Sequence, residues 1–101
     1  MDRSAPPPST TARHIHVSGR VQGVAFRWSM QREAEHLGMT GWVRNLLDGR
    51  VESRIQGSEK AIDTMLLWLK KGPPSARVDD LDVRVCETES QLVGFSIRTI
   101  G

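Results

Sequence analysis

Apolar residues recur along this chain with a period that switches between two and about 3.6, and the order of the switches leaves few folds open. Ile15 and Val17 alternate with His14, His16 and Ser18, the pattern of a strand with one buried side. Phe26, Met30, Ala34 and Leu37 then fall at helical spacing, and Gly38 ends that helix. Segments 40–47 and 50–56 read as the two arms of a hairpin, because Asp48-Gly49 between them suits the positive-φ positions of a tight turn. Ser58 caps a second helix with the apolar stripe Ile62, Met65, Leu66 and Leu69, closed by Lys70, Lys71, Gly72 and two prolines. Leu81, Val83 and Val85 alternate in a further strand, and Phe95, Ile97 and Thr99 in a short last one.

This order is βαββαβ plus a short C-terminal strand. It predicts the α+β, ferredoxin-like split βαβ arrangement: an antiparallel sheet with two helices on one face. The crossover helix makes the first two strands parallel, with the third slotted between them. The Met and Leu residues of the helices are then core. With 101 residues and no internal repeat, one domain is expected, spanning 14–101. Residues 1–13 carry Pro6, Pro7 and Pro8 among Ser, Thr and Ala, and read as a disordered tail. They lack the apolar stretch of a secretory signal, and no later run approaches the length of a membrane span. Cys86 is the only cysteine, so no intramolecular disulfide or cysteine-based metal cluster can form, and it reads as a small apolar residue. A cytoplasmic monomer without membrane contacts is the expectation.

The run Gly19-Arg20-Val21-Gln22-Gly23-Val24-Ala25-Phe26-Arg27 joins the first strand to the first helix. Glycines at 19 and 23 let a turn aim several backbone N–H groups at one centre, which suits phosphate or carboxylate oxygens. Tight strand-to-helix connections also need glycine for steric reasons alone. The helix adds its unpaired first-turn N–H groups and the positive end of its dipole. Arg27 stands where a helix prefers an acid, and a cation set against the dipole points to an anion between them. The run is neither a Walker A loop nor a dinucleotide fingerprint.

Parallel first and second strands bring their C-terminal ends to one edge of the sheet, so Asn45 comes to face the glycine turn. By alternation Asn45 shares a face with Val43 and Leu47, on the helix-covered side where an amide needs a partner. Spacing alone fits a hairpin tie and a substrate contact equally.

The 19–27 run, followed by Leu37-Gly38, Gly41-Trp42-Val43-Arg44-Asn45 and Asp48-Gly49-Arg50-Val51-Glu52, resembles the acylphosphatase family over nearly all of 14–100. The resemblance implies a ferredoxin-like fold and hydrolysis of the carboxyl–phosphate bond of small acyl phosphates, with no metal or cofactor. It implies that Arg27 binds the phosphate together with the amides of Gly19, Val21, Gln22, Gly23, Val24, Ala25 and Phe26, and that Asn45 orients the attacking water. Ala25 falls in a variable slot, Leu47 stands where bacterial relatives often have proline, and the Pro-rich tail lies outside the pattern.

So sparse a site suits that reaction. The leaving carboxylate is stable without protonation, so neither a general acid nor a metal is needed to stabilise an alkoxide. Donors around the equatorial oxygens and an aligned nucleophile remain, and Arg27 and Asn45 match those two jobs. One rival is an anion-binding module without turnover, because acylphosphatase-like domains also serve recognition or carbamoyl-group chemistry. The other is an RNA-binding domain, suggested by a pI near 9.2. Scattered basic residues, a net charge of only +2 and the lack of an aromatic-rich strand motif argue against nucleic acid. His14 and His16 share a strand face, but two imidazoles without a third ligand read as a polar surface. Trp28 and Trp68 read as packing or half-exposed helix residues.

Overall fold

The computed structural model describes residues 10–101. In chain order the elements are β1 (Thr10–Arg20), α1 (Phe26–His36), β2 (Thr40–Asn45), β3 (Val51–Ser58), α2 (Glu59–Lys71), β4 (Arg77–Cys86) and β5 (Phe95–Ile97). All strands join one sheet in the order β4-β1-β3-β2-β5. β3 is antiparallel to both β1 and β2, which therefore run parallel on either side of it, as a crossover helix requires. This is the ferredoxin-like α+β arrangement with β5 added at one edge.

One face is apolar because the pleat turns alternate residues to it. Ile15 and Val17 of β1, Val43 of β2 and Val51 and Ile55 of β3 are fully buried there. Against them lie Phe26, Met30 and Ala34 of α1 and Ile62, Met65 and Leu69 of α2. Ser53 points into the same core, and its hydroxyl donates to the Trp42 carbonyl at 2.7 Å, which removes the penalty of burying it.

β4 begins at Arg77, before the Leu81–Val85 alternation, and β5 stops at Ile97, short of Thr99; three further features differ from the sequence pattern. β1 starts at Thr10, so Thr10–Arg13 belong to the sheet, where they pair with Ser58–Ile55 and Ala12 is fully buried. Thr and Ala carry too little hydropathy contrast to reveal that extension, and the rest of the segment read as a tail, 1–9, lies outside the described residues. β2 stops at Asn45, and a five-residue loop, 46–50, replaces the two-residue turn at Asp48-Gly49. Backbone bonds from Leu46 N to the Arg50 carbonyl and from Gly49 N to the Leu46 carbonyl close that loop and leave Leu47 84% exposed. Finally, the sheet is antiparallel except at β5, which pairs parallel with β2. β4 ends at the opposite edge, so 87–94 must cross the end of β3 and enters beside the start of β2. Gln56 clasps this crossing in both directions: its Nε2 donates to the Glu89 carbonyl at 2.9 Å, and its Oε1 accepts from Glu89 N at 2.8 Å.

The helix-free face carries two polar rows fixed by register. Arg44, Glu52, His16 and Asp82 form one, and Trp42, Arg54, His14 and Arg84 the other. Burial, then the positive charge of Arg50 and the His14 ring, lower the His16 pKa from its ordinary 6.5 against the pull of Glu52 and Asp82. Burial pushes Glu52 up, but hydrogen bonds from Arg44 and His14 and their charges outweigh it, so its pKa lies below the ordinary 4.5. Both groups bind protons less readily folded than unfolded, so the unfolded chain holds more protons in acid and stability rises with pH. Stability should therefore fall on acidification, first as pH drops below about 6.5 through His16 and then below about 4.5 through Glu52. Thermal midpoints from pH 7.5 to 4 should decline, and His16→Gln should flatten the upper part. A midpoint that rises between pH 7 and 5 would contradict this assignment.

Candidate active site

At the sheet end where β1 and β2 both terminate, a cleft of about 180 Å³ is lined by Val21, Gly23, Ala25, Phe26, Arg27, Trp28, Asn45 and Ile97. That is smaller than the roughly 300–1,000 Å³ of drug-sized ligand sites, so it suits a small anionic group whose remainder projects into solvent. Arg27 is half-buried in the first turn of α1, and Asn45 is the last residue of β2 on its inward face. The topology thus brings the two residues singled out in the sequence into one cleft.

The loop between β1 and α1 is shaped by two left-handed residues, Gly23 at φ 74° and Ala25 at φ 61°. Alternating the backbone hand in this way turns consecutive amides to the same side, the geometry of an anion nest. Among the described residues, the backbone N–H groups of 22–25 donate to no backbone carbonyl. Ala25 pays about 1–2 kcal/mol to adopt a conformation that normally selects glycine. Strain of this kind concentrates at functional loops.

The two helices are finished differently. At α2, the Ser58 hydroxyl accepts from Ala61 N at 3.1 Å, and Glu59 complements the dipole. At α1, Ala25 offers no side-chain cap and the first turn holds no acid. Arg44, Arg50, Arg54, Arg77 and Arg84 each meet a carboxylate, but Arg27, like Arg13, Arg20, Arg32 and Arg98, has no ion-pair partner among the described residues, and of these only Arg27 lines the cleft. The N-terminus of α1 and Arg27 together leave positive potential in the cleft with no acidic side chain lining it among the described residues. Asn45 adds a buried Oδ1 that no donor among the described residues reaches.

The side chains of the other members of the 19–27 run, and the missing one at Gly19, shape and fasten the loop. Gly19 sits at a β1–β4 register shift, where a Cβ would strike the Arg77 carbonyl and come within 2.7 Å of Asp79 N, so close strand approach demands glycine there. The Gln22 side chain turns away from the cleft, and its Nε2 donates to the Leu46 and Arg50 carbonyls at 2.8 and 2.9 Å, tying the loop to the hairpin. Val24 packs into the core, while Val21 is buried yet borders the cleft. Trp28, read from the sequence as a packing or half-exposed helix residue, is 56% exposed at the cleft mouth with Arg32 stacked 4.9 Å from its ring centroid. Ile97 reaches the cleft because β5 runs beside β2, a neighbourhood with no local sequence signal. The backbone beyond β5 pins the end of β2: Gly101 N donates to the Asn45 carbonyl at 3.0 Å and Arg98 N to the Val43 carbonyl at 2.9 Å.

Known proteins share this architecture and much of this sequence. An acylphosphatase from Thiobacillus denitrificans is 50% identical over 86 residues, covering 85% of this chain and 94% of the relative. The solved structure of an acylphosphatase from Coxiella burnetii superposes with a TM-score of 0.84 at 40% identity, covering 88% of this chain and 93% of that one. A full-length HypF in a phosphate- and nucleotide-bound form matches at 30% identity and a TM-score of 0.85, with 94% of this chain aligned to only 13% of the larger protein. The acylphosphatase family model matches residues 13–97, and by that match and by its identity to stand-alone relatives the chain belongs to the acylphosphatase family.

Proposed function

We propose that this acylphosphatase holds the substrate's phosphate in the nest formed by 21–26 and the Arg27 guanidinium, while Asn45 orients the attacking water. The observation that carries the reading is the pairing, in one small cleft, of a cation without a carboxylate partner and a buried amide oxygen without a donor, both judged among the described residues. Arg27 can bridge two phosphate oxygens through its planar fork, and the loop amides and helix dipole meet the others. The Asn45 Oδ1 accepts a hydrogen from water and so aims an oxygen lone pair at phosphorus. The water oxygen forms the new P–O bond, the carboxylate leaves with the electrons of the old one, and the water's surplus proton passes to phosphate oxygen or solvent. No proton need reach the leaving group, so the lack of a carboxylic acid or imidazole among the lining residues is no handicap.

Trp28 and Ile97 at the mouth offer an apolar rim to the acyl end, which favours broad acceptance of small acyl phosphates. We further propose a cytoplasmic monomer whose machinery lies within 14–101, apart from the Pro-rich segment. Nucleic acid is a poor fit to the helix-free face. Its tryptophan, Trp42, is covered by Arg44 and Arg98, with guanidinium carbons 5.4 and 4.7 Å from the ring centroid, so it offers no open stacking platform.

The test is release of benzoate from benzoyl phosphate by the full chain in EDTA. Turnover should persist unchanged under chelation, because the proposed steps use only Arg27, the loop amides, Asn45 and water. Phosphate binding without turnover would instead make the chain an anion-binding module.

A further inference from the structure

On the helix-free face a carboxylate joins the two histidines that the sequence leaves as an isolated pair. We propose that His14, His16 and Glu52 form a binding site for one divalent transition-metal ion of the zinc type. β1 presents both imidazoles to that face, and Glu52 is the direct cross-strand partner of His16 on β3. One ligand atom from each lies within 4.8 Å of the others. His14 Nε2 is 2.7 Å and His16 Nε2 3.7 Å from the same oxygen, Glu52 Oε2. Ligands at 2.0–2.2 Å from a tetrahedral ion stand roughly 3.3–3.5 Å apart, so side-chain adjustments of up to about 1 Å on two paired strands admit the metal.

The surroundings favour such an ion. Arg44 Nε donates to the other carboxylate oxygen, Glu52 Oε1, at 2.6 Å, which fixes the rotamer and leaves Oε2 as a single aimed ligand. Arg54 faces Glu89 and Arg50 faces Asp48, though Arg50 still acts on His16, and Arg98 beside His14 meets no carboxylate among the described residues. Asp82 lies across β1–β4 from His16 and adds negative charge on that side. Burial helps keep His16 neutral, the form that ligates. For His14 to ligate, water takes the hydrogen that faces Glu52 Oε2 from Nε2 and returns a proton to Nδ1, which frees the Nε2 lone pair with no net proton release. Two imidazoles and one carboxylate suit zinc and its neighbours rather than calcium or magnesium, and the solvent side leaves a fourth position for water. The ion would tie β1 to β3 behind the phosphate loop and stabilise the fold by mass action.

The experiment titrates metal-stripped full chain with Zn²⁺ alone. Calorimetry should give one ion per chain, the thermal midpoint should rise with Zn²⁺ but not with Ca²⁺, and NMR should shift the Nε2 signals of both rings. His14→Gln and His16→Gln should each weaken binding about 100-fold or more. Cys86→Ser should leave it intact, a needed control because Cys86 opens on the same cleft as His14. Benzoyl phosphate turnover in EDTA checks that each variant is folded, since none of these residues lines the catalytic cleft. Less than one ion per chain, Nε2 signals that do not move, binding that survives both histidine substitutions, or loss of binding in Cys86→Ser would overturn the proposal.

Discussion

Arg27→Ala should lower kcat/KM for benzoyl phosphate by about 10³-fold or more, the range found when a guanidinium that stabilises a phosphoryl-transfer transition state is removed. Arg27 is the second residue of a helix whose N-cap, Ala25, is left-handed, and the first turn holds no acidic residue. Its charge and the dipole repel each other in the free protein and are reconciled by a bound phosphate. The interaction strengthens as charge spreads over the equatorial oxygens, so the loss should fall on kcat as well as on binding. Arg27→Lys should recover little, because an ammonium is a point charge and cannot span two oxygens in a fixed plane. Inhibition by inorganic phosphate should weaken in both variants. A lysine variant within tenfold of wild type would show that charge alone suffices and remove the bidentate contact from the mechanism.

The helical and strand periods are legible wherever large apolar residues carry them, as with Ile15 and Val17, Phe26 to Ala34 and Ile62 to Leu69. Their order leaves essentially one sheet topology, which puts Arg27 and Asn45 at a common edge from the sequence alone. What stayed hidden depends on non-local geometry or on weak hydropathy contrast. Thr10–Arg13 join β1 through backbone pairing with β3, which no side chain advertises. The direction of β5, and with it the position of Ile97 beside the cleft, follows from where 87–94 crosses the sheet. Gln22 lies inside a run that looks wholly dedicated to an anion, yet its side chain fastens the loop to the hairpin. Glu52 could be matched to His16 only once the β1–β3 register was fixed; a shift of one residue would have sent it into the core.

The second large effect separates water positioning from phosphate binding. Asn45→Ala should reduce kcat by about 10²- to 10³-fold, or about 3–4 kcal/mol, comparable to losing one preorganised donor at an oxyanion site. Inhibition by inorganic phosphate should stay near the wild-type level, unlike in the Arg27 variants. The fold should tolerate the change. The Asn45 backbone is fixed independently, its carbonyl accepting from Gly101 N at 3.0 Å, and its buried Oδ1 meets no donor among the described residues that truncation would strand. An amide retained there without such a bond adds nothing to stability by that oxygen, because a buried acceptor left unpaired costs about 1–3 kcal/mol. Alanine should therefore leave the thermal midpoint unchanged or raise it while activity collapses. Asn45→Asp should not rescue turnover: a carboxylate can accept from water, but it places a negative charge beside the incoming phosphate. If Asn45→Ala instead lowered the midpoint and kept near-normal turnover, Asn45 would be a tie for the hairpin, and the water would have to be aimed by the loop or by the substrate itself.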